Sequence, residues 1–370
     1  MNRALFVMQD LEGGGAERSL LELLRRLDRK RFAIDLFLLR RSGVHLDRVP
    51  MDVRLFWGRG TAGRLRWHLP ILLWRALALA LTADVIVSAM EGPPSYLAWL
   101  VARLTGKPLV CWVKTDLDQY LTALPRWHRL LARLIYPRCS VAVVPSTGSL
   151  RSLAAVAAGA EPILRVINNP VDLDEVGTMA TEPLPDGWAD LGVKPFILGA
   201  GRLKNDQKGF DLLLKAHASL RARGVDHNLV IVGEGPDRAA LEALARELGV
   251  ASSTFLPGFQ NNPFPFFKAA RLLAAPARID GFGRVYLEAM ALGLPVVGSR
   301  ASGPTEILQD GRYGIIVSTD GAEELAGALG RLLTDGELHA RYARLSLDRA
   351  RTFDPRNVAA QWDSLLAALC

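Results

Sequence analysis

Acidic, basic and glycine residues recur where apolar runs end, and the densest group spans residues 276–295. Asp280 follows an apolar run, Gly281-Phe282-Gly283 makes a turn, and a helix is expected from about Arg284. The exposed N–H groups of a helix start suit a phosphate. Glu288 falls one turn further on, where a carboxylate accepts hydrogen bonds from sugar hydroxyls. A second group is Gly199-Ala-Gly201-Arg202-Leu203, followed by Lys208-Gly209. Arginine grips phosphate with two parallel N–H bonds and lysine adds a point charge. Together they suit a diphosphate leaving group, which gains negative charge as its bond to a sugar breaks. Gly233-Glu234-Gly235-Pro236 makes a third turn, and Gly13-Gly14-Gly15 opens a helix near the start of the chain. Each feature alone is equally an ordinary strand-to-helix turn with solvated side chains.

These turns need strands and helices to hold them. Residues 4–8, 84–88, 109–113, 141–144 and 165–167 read as buried strands in the first half. Residues 196–198, 229–232, 272–275, 295–297 and 314–317 do so in the second. Helical stripes alternate with them, as with Leu20, Leu23, Leu24 and Leu27 after the first glycine turn. Such alternation predicts an α/β protein of two parallel-sheet, Rossmann-like domains, with ligands at the carboxyl ends of the strands. Residues 181–195, rich in Pro, Gly and Asp, are the expected join. The expected domains are 1–182 and 190–352, with a helix over 353–370 crossing back to the first.

Half of the 370 residues are hydrophobic and 22% are charged, which excludes a disordered chain. Cys111, Cys139 and Cys370 are too few and scattered for a disulfide framework or a zinc cluster. Residues 1–9 run into the glycine turn without a small-residue cleavage site, so no signal peptide is expected. The apolar stretch 70–83 is broken by Arg75 and is too short to span a bilayer. Residues 1–185 hold 24 Lys and Arg against 17 Asp and Glu, whereas the remainder holds 21 of each. The whole net charge of +7 therefore lies in the first half and suggests an anionic partner. Residues 64–75 and 125–133 mix Trp, Arg and Leu in the manner of a membrane interface. Arg64, Arg66, Trp67, Arg126, Trp127, Arg129 and Arg133 are the candidate contacts, although Leu130, Leu131 and Leu134 equally suit a core. No nucleic-acid motif interleaves with these basic residues.

The ordered motifs resemble glycosyltransferase family 4, a retaining family of the GT-B fold. They are the early Gly-Gly-x-Glu turn, Gly-Arg-Leu then Lys-Gly, Gly-x-Gly-Pro, the acid-x7-acid stretch 280–288, Asn169-Pro170-Val171-Asp172 and Ser302-Gly303-Pro304-Thr305-Glu306. The resemblance spans essentially the whole chain and is looser over residues 40–140. It implies two domains facing across a cleft. It also implies that Arg202 and Lys208 bind the donor diphosphate, Glu288 the ribose and Asp280 the donor sugar. Gly281, Phe282, Gly283 and Arg284 would line the sugar and phosphate with backbone N–H groups. Glu234, Gly258 and Phe259 would flank the base, and Gly14 and Gly15 would come from the facing domain. The implied reaction moves a hexose or N-acetylhexosamine from a nucleotide-diphosphate sugar, UDP favoured over GDP, to a lipid-linked or cell-surface glycan. The protein would then be cytoplasmic and peripheral on the inner face of the cell membrane. The family needs no metal, the nucleotide sugar is a co-substrate rather than a cofactor, and no His, Asp or Glu cluster suggests a metal site.

Two departures stand out. Asp280 replaces the family's glutamate and is shorter by about 1.5 Å. Lys114-Thr115-Asp116 stands where many members carry a histidine. Lys114 there suits either contact with the donor or a change in loop register. A nucleotide-sugar epimerase of the same fold and a non-catalytic, basic membrane- or glycan-binding protein stay open. A dehydrogenase does not, since the stretch that begins Gly199-Ala-Gly201 lacks the third glycine of the Gly-x-Gly-x-x-Gly turn.

Overall fold

In a computed structural model that describes residues 1–59 and 69–370, thirteen strands form two wholly parallel sheets. The first sheet has seven strands: β1 (Asn2–Met8), β2 (Phe32–Arg40), β3 (Arg54–Arg59), β4 (Val85–Ser88), β5 (Leu109–Trp112), β6 (Val141–Val144) and β7 (Leu164–Val166). Their order is β3-β2-β1-β4-β5-β6-β7. The second has β8 (Phe196–Ala200), β9 (Asn228–Val232), β10 (Thr254–Gly258), β11 (Leu272–Ala275), β12 (Val296–Ser299) and β13 (Ile315–Val317), in the order β10-β9-β8-β11-β12-β13. Each order reverses direction once, beside β1 and beside β8. Such a switch opens a crevice at the carboxyl ends of the strands.

Unbroken apolar runs form these strands because both faces of a parallel sheet are covered by helices. Successive residues enter opposite cores: Leu5 and Val7 pack on one side of the first sheet, and Ala4, Phe6 and Met8 on the other. In the second sheet Phe196 and Leu198 face one core and Ile197 the other. Strands β2, β3 and β10 go beyond the sequence-based expectation. In β2 the apolar run is broken by Asp35, which is fully buried and accepts from Nε and Nη2 of Arg54, both at 2.7 Å. Burial pushes the Asp35 carboxyl up and the nearby Arg3 charge opposes this. In β10 the Pro257-Gly258 ending reads as a turn.

The chain divides into a unit of residues 1–170 and 355–370 and a unit of residues 171–354. This differs from the expected join over 181–195. Leu191 is buried in the second unit's core and Leu184 and Trp188 pack against it, so the Pro- and Gly-rich stretch is packed rather than linking. The last helix, Pro355–Ala367, belongs to the first unit. It buries Val358, Ala359, Trp362 and Leu366 there, and Trp362 meets Trp112 with ring centres 4.6 Å apart.

A polar chain crosses the second unit's core. His227 Nδ1 meets the Val225 carbonyl at 2.9 Å, His227 Nε2 meets His217 Nδ1 at 2.9 Å, and His217 Nε2 meets Ser253 Oγ at 2.9 Å. Both rings are fully buried. Burial pushes His217 down to about 3 and His227 in the same direction. The unfolded chain takes up these protons below about pH 6.5 and the folded one does not, so stability is full above that pH and falls with acid. Chemical denaturation should show a loss of up to about 2 kcal/mol between pH 7 and pH 5 from His217. His217→Gln should flatten that slope, and equal slopes in both proteins would refute the assignment.

Candidate active site

The carboxyl edge of the second sheet gathers four turns through close backbone approaches. Gly233 has φ +144°, and a Cβ there would lie 1.9 Å from the Gly201 carbonyl oxygen. Gly201 N–H donates to Val232 O at 3.0 Å and Leu203 N–H to Glu234 O at 3.0 Å. The turns after β8 and β9 are thus joined backbone to backbone. Gly303 N–H donates to Asp280 O at 2.8 Å, and a Cβ on Gly303 would stand 2.3 Å from the Phe282 carbonyl carbon. That contact sets the start of helix Ser302–Leu308 against the turn after β11.

On this frame the structure brings Lys208 and Asp280 together. Lys208 Nζ lies 2.8 Å from Asp280 Oδ2, and the pair is largely but not wholly shielded from solvent. Arg202 is exposed at the end of β8 and forms no ion pair with a described residue. Phe282 N–H is turned onto Asp280 Oδ1 at 3.3 Å, so one of the expected backbone donors is engaged within its own turn. Gly283, at φ +78°, caps helix Arg284–Ala291. Glu288 is buried and its Oε1 accepts from Arg284 Nε at 2.8 Å. Sequence reasoning placed both residues and missed their pairing, although the i,i+4 spacing signals it. Gly281 lies in the same turn.

Glu234 is exposed after β9, and its Oε2 meets Arg238 Nη1 at 3.0 Å. Arg238 also donates to the Leu256 carbonyl at 2.8 Å, which ties this turn to β10. A Cβ on Gly258 would lie 3.5 Å from Glu234 Oε2, and Phe259 beside it is exposed. Arg238 escaped sequence reasoning because nothing in its spacing distinguishes it from a surface cation.

Other expected residues lie in the first unit. Gly14 caps helix Gly15–Arg26, and a Cβ on Gly14 would lie 2.5 Å from Glu17 Oε2. A first-turn acid thus occupies the space beside the glycine turn, where it also complements the helix dipole. Lys114 follows β5. Its N–H donates to Glu91 Oε2 at 3.0 Å, and its ammonium lies 2.7 Å from the centre of the Trp112 ring. Burial pushes the Glu91 carboxyl up, against the pull of Lys114. Glu91 is a second residue that sequence reasoning missed; its signal is an acid at a strand end before Gly92-Pro93-Pro94.

Helix Arg126–Ile135 presents Arg126, Trp127, Leu130, Arg133 and Leu134 to solvent, while Leu131 packs against the core. Trp127 is 51% and Leu130 64% exposed. Arg129 is half-buried and reaches the Asp118 carbonyl at 3.4 Å. Trp74, on helix Leu69–Thr82, is 69% exposed. Arg64, Arg66 and Trp67 lie outside the described residues. Among the described residues, no three His, Cys, Asp or Glu side chains gather as a metal site, and no helix is long and apolar enough to cross a membrane.

Two parallel-sheet units with phosphate-suited turns at their strand ends define a GT-B glycosyltransferase. Residues 13–175 match the model described as Glycosyltransferase Family 4, and residues 189–346 match Glycosyl transferases group 1. The two matches together take in most of the chain, which is a glycosyltransferase similar to family 4. Its relatives include the Campylobacter jejuni N-acetylgalactosamine-N,N'-diacetylbacillosaminyl-diphospho-undecaprenol 4-alpha-N-acetylgalactosaminyltransferase, 29% identical over 279 residues, or 72% of each chain. The GDP-mannose-dependent alpha-(1-6)-phosphatidylinositol monomannoside mannosyltransferase of Mycolicibacterium smegmatis is 36% identical over 200 residues, 50% of this chain and 51% of the relative. The crystal structure of Anabaena HepE in complex with UDP and glucose has the same fold, with a TM-score of 0.84, 22% identity and 100% of both chains covered.

The frame yields a direct test. Gly303→Ala should destabilise the protein by about 1–3 kcal/mol, since backbone rather than a flexible side chain blocks the new methyl. Gly327→Ala, inside helix Ala322–Thr334 with nothing within 4 Å of the new Cβ, should be stabilising by up to about 1 kcal/mol. Denaturant midpoints measure both, and a neutral Gly303→Ala would remove the close approach from the account.

Proposed function

We propose that the chain is a retaining glycosyltransferase that moves a hexose or N-acetylhexosamine from a nucleotide-diphosphate sugar, UDP favoured, to a lipid-linked or cell-surface glycan. The observation that carries this reading is the Lys208–Asp280 pair beside exposed Arg202 at the carboxyl edge of the second sheet. As the bond from the anomeric carbon to the diphosphate oxygen breaks, charge gathers on the departing phosphate. Arg202 and Lys208 would neutralise it without a metal ion. Asp280 would accept a hydroxyl proton of the sugar as a hydrogen bond, and Glu288 would do the same for the ribose. The acceptor hydroxyl enters on the face the phosphate leaves and gives its proton to the departing phosphate oxygen, which keeps the anomeric configuration.

A UDP donor is supported by the UDP in the Anabaena HepE structure, and a GDP donor by the name of the mycobacterial relative. A lipid-linked acceptor is supported by the names of the Campylobacter and mycobacterial relatives. The exposed Trp127, Leu130, Arg126 and Arg133 suit docking of the first unit on an anionic membrane at the cytoplasmic face.

Screening UDP- and GDP-sugars for thermal stabilisation identifies the donor, because a ligand at 100 times its Kd adds about 2.7 kcal/mol. Arg202→Ala with Lys208→Ala should weaken binding of the matching nucleoside diphosphate at least tenfold, since charged hydrogen bonds contribute about 1.5–3 kcal/mol each. Unchanged affinity would exclude the assignment, and release of free sugar without an acceptor would favour an epimerase. For docking, co-sedimentation with anionic vesicles should fall when Arg126 and Arg133 become Gln or when salt is raised. Equal binding to neutral and anionic vesicles at all salt concentrations would defeat the electrostatic part.

A further inference from the structure

Lys208 and Asp280 stand 72 residues apart in sequence, on two segments that neither strand pairing nor a shared helix holds together. What joins these segments is Arg278. Its Nη1 donates to Asp211 Oδ1 at 2.8 Å and its Nη2 to Asp211 Oδ2 at 3.0 Å, in the two-pronged geometry that only a guanidinium offers. Nη1 also reaches the Asn205 carbonyl at 3.0 Å. The Asn205 side chain closes the circuit by accepting the Asp211 N–H at 2.9 Å. Backbone bonds run alongside: Arg278 N–H and Ile279 N–H both donate to the Gln207 carbonyl, at 2.8 and 3.1 Å. Gly209, at φ +67°, permits this approach, since a Cβ there would lie 2.2 Å from the Pro276 carbonyl oxygen.

Lys208 sits inside the stretch 205–211 that Arg278 grips, and Asp280 sits two residues beyond Arg278 on the other segment. The arginine side chain bonds to neither, so its effect on them passes through the backbone. Asp211 is held in the charged form that the fork requires: burial opposes ionisation, but the Arg278 guanidinium, with the Leu212 N–H and the Asn205 side chain, lowers the carboxyl below its usual range.

Resting on the donor-site reading above, we propose that Arg278, through Asp211, is a positioning residue that fixes the spacing of Lys208 and Asp280. It thereby sets how strongly the site prefers an intact nucleotide sugar to the nucleoside diphosphate alone. The diphosphate needs cations, which are present whatever the spacing. The sugar needs Asp280 at a set distance from the phosphate that Lys208 holds. Loosening the clamp therefore costs recognition of the sugar first.

Arg278→Lys keeps the charge and removes the fork. Two measurements test it. Without any ligand, Lys208→Gln and Asp280→Asn are combined in a double-mutant cycle of denaturant stability, once in the native background and once with Arg278→Lys. The coupling between the two residues should fall by at least half in the Arg278→Lys background; coupling of equal size in both backgrounds overturns the positioning role. In the second arm, with the nucleotide sugar chosen by the donor screen, Arg278→Lys should raise the donor KM about tenfold while the Kd of the matching nucleoside diphosphate stays within twofold. Loss of both ligands in equal measure, or of neither, overturns the specificity claim. A native protein that binds no nucleotide would fail the donor-site reading, and the ligand-free cycle still decides whether Arg278 positions the pair.

Discussion

The carboxyl edge of the second sheet depends on main chain meeting main chain without a side chain between. Gly233 against Gly201, Gly209 against Pro276 and Gly303 against Phe282 are contacts that one methyl group on the glycine would force apart. At these distances the neighbour is carbonyl or backbone carbon, which cannot swing away as the end of a long side chain can. The loops are consequently fixed by geometry before any charged residue is considered. Side chains that project from them, Arg202, Lys208, Asp280 and Glu288, inherit their positions from that frame.

Charge is then distributed within the frame by pairs of different character. Arg284 and Glu288 are both buried in one helix, where they form an ion pair. Arg278 and Asp211 bridge two segments. Lys208 and Asp280 are less shielded, and each retains some access to solvent. A buried pair is expensive to break. A partly open pair can exchange its partner for a ligand at less cost. The arrangement thus separates groups that hold the frame from groups suited to change partners.

The first unit shows a different balance. Its strand-end residues are turned onto neighbours of the same unit: Lys114 onto Trp112 and Glu91, and Glu17 beside Gly14. Its outer helices instead leave large apolar and cationic side chains in water. Trp127 and Leu130 are exposed on a helix whose opposite face, through Ala132 and Ile135, is fully packed. The core did not need those residues, which is the physical ground for assigning them to a surface interaction.

The sequence by itself determined the class of fold, because unbroken apolar runs alternating with helical stripes can be buried only in parallel sheets covered on both faces. It also determined where the candidate chemistry sits, because glycines, acids and cations follow the strands in a fixed order. It left β2 and β10 unread, since Asp35 and Pro257 interrupt their patterns and only a partner in space explains the aspartate. It placed the join at 181–195, whereas the units divide after Pro170 and Leu191, inside a stretch whose composition suggests a linker, is a core residue. The tertiary structure alone decided which charges meet. Lys208 finds Asp280, and Arg278 finds Asp211, across 72 and 67 residues of chain. No local rule of spacing carries that information, because such pairs form only once the crossovers between strands have brought two distant turns to one sheet edge.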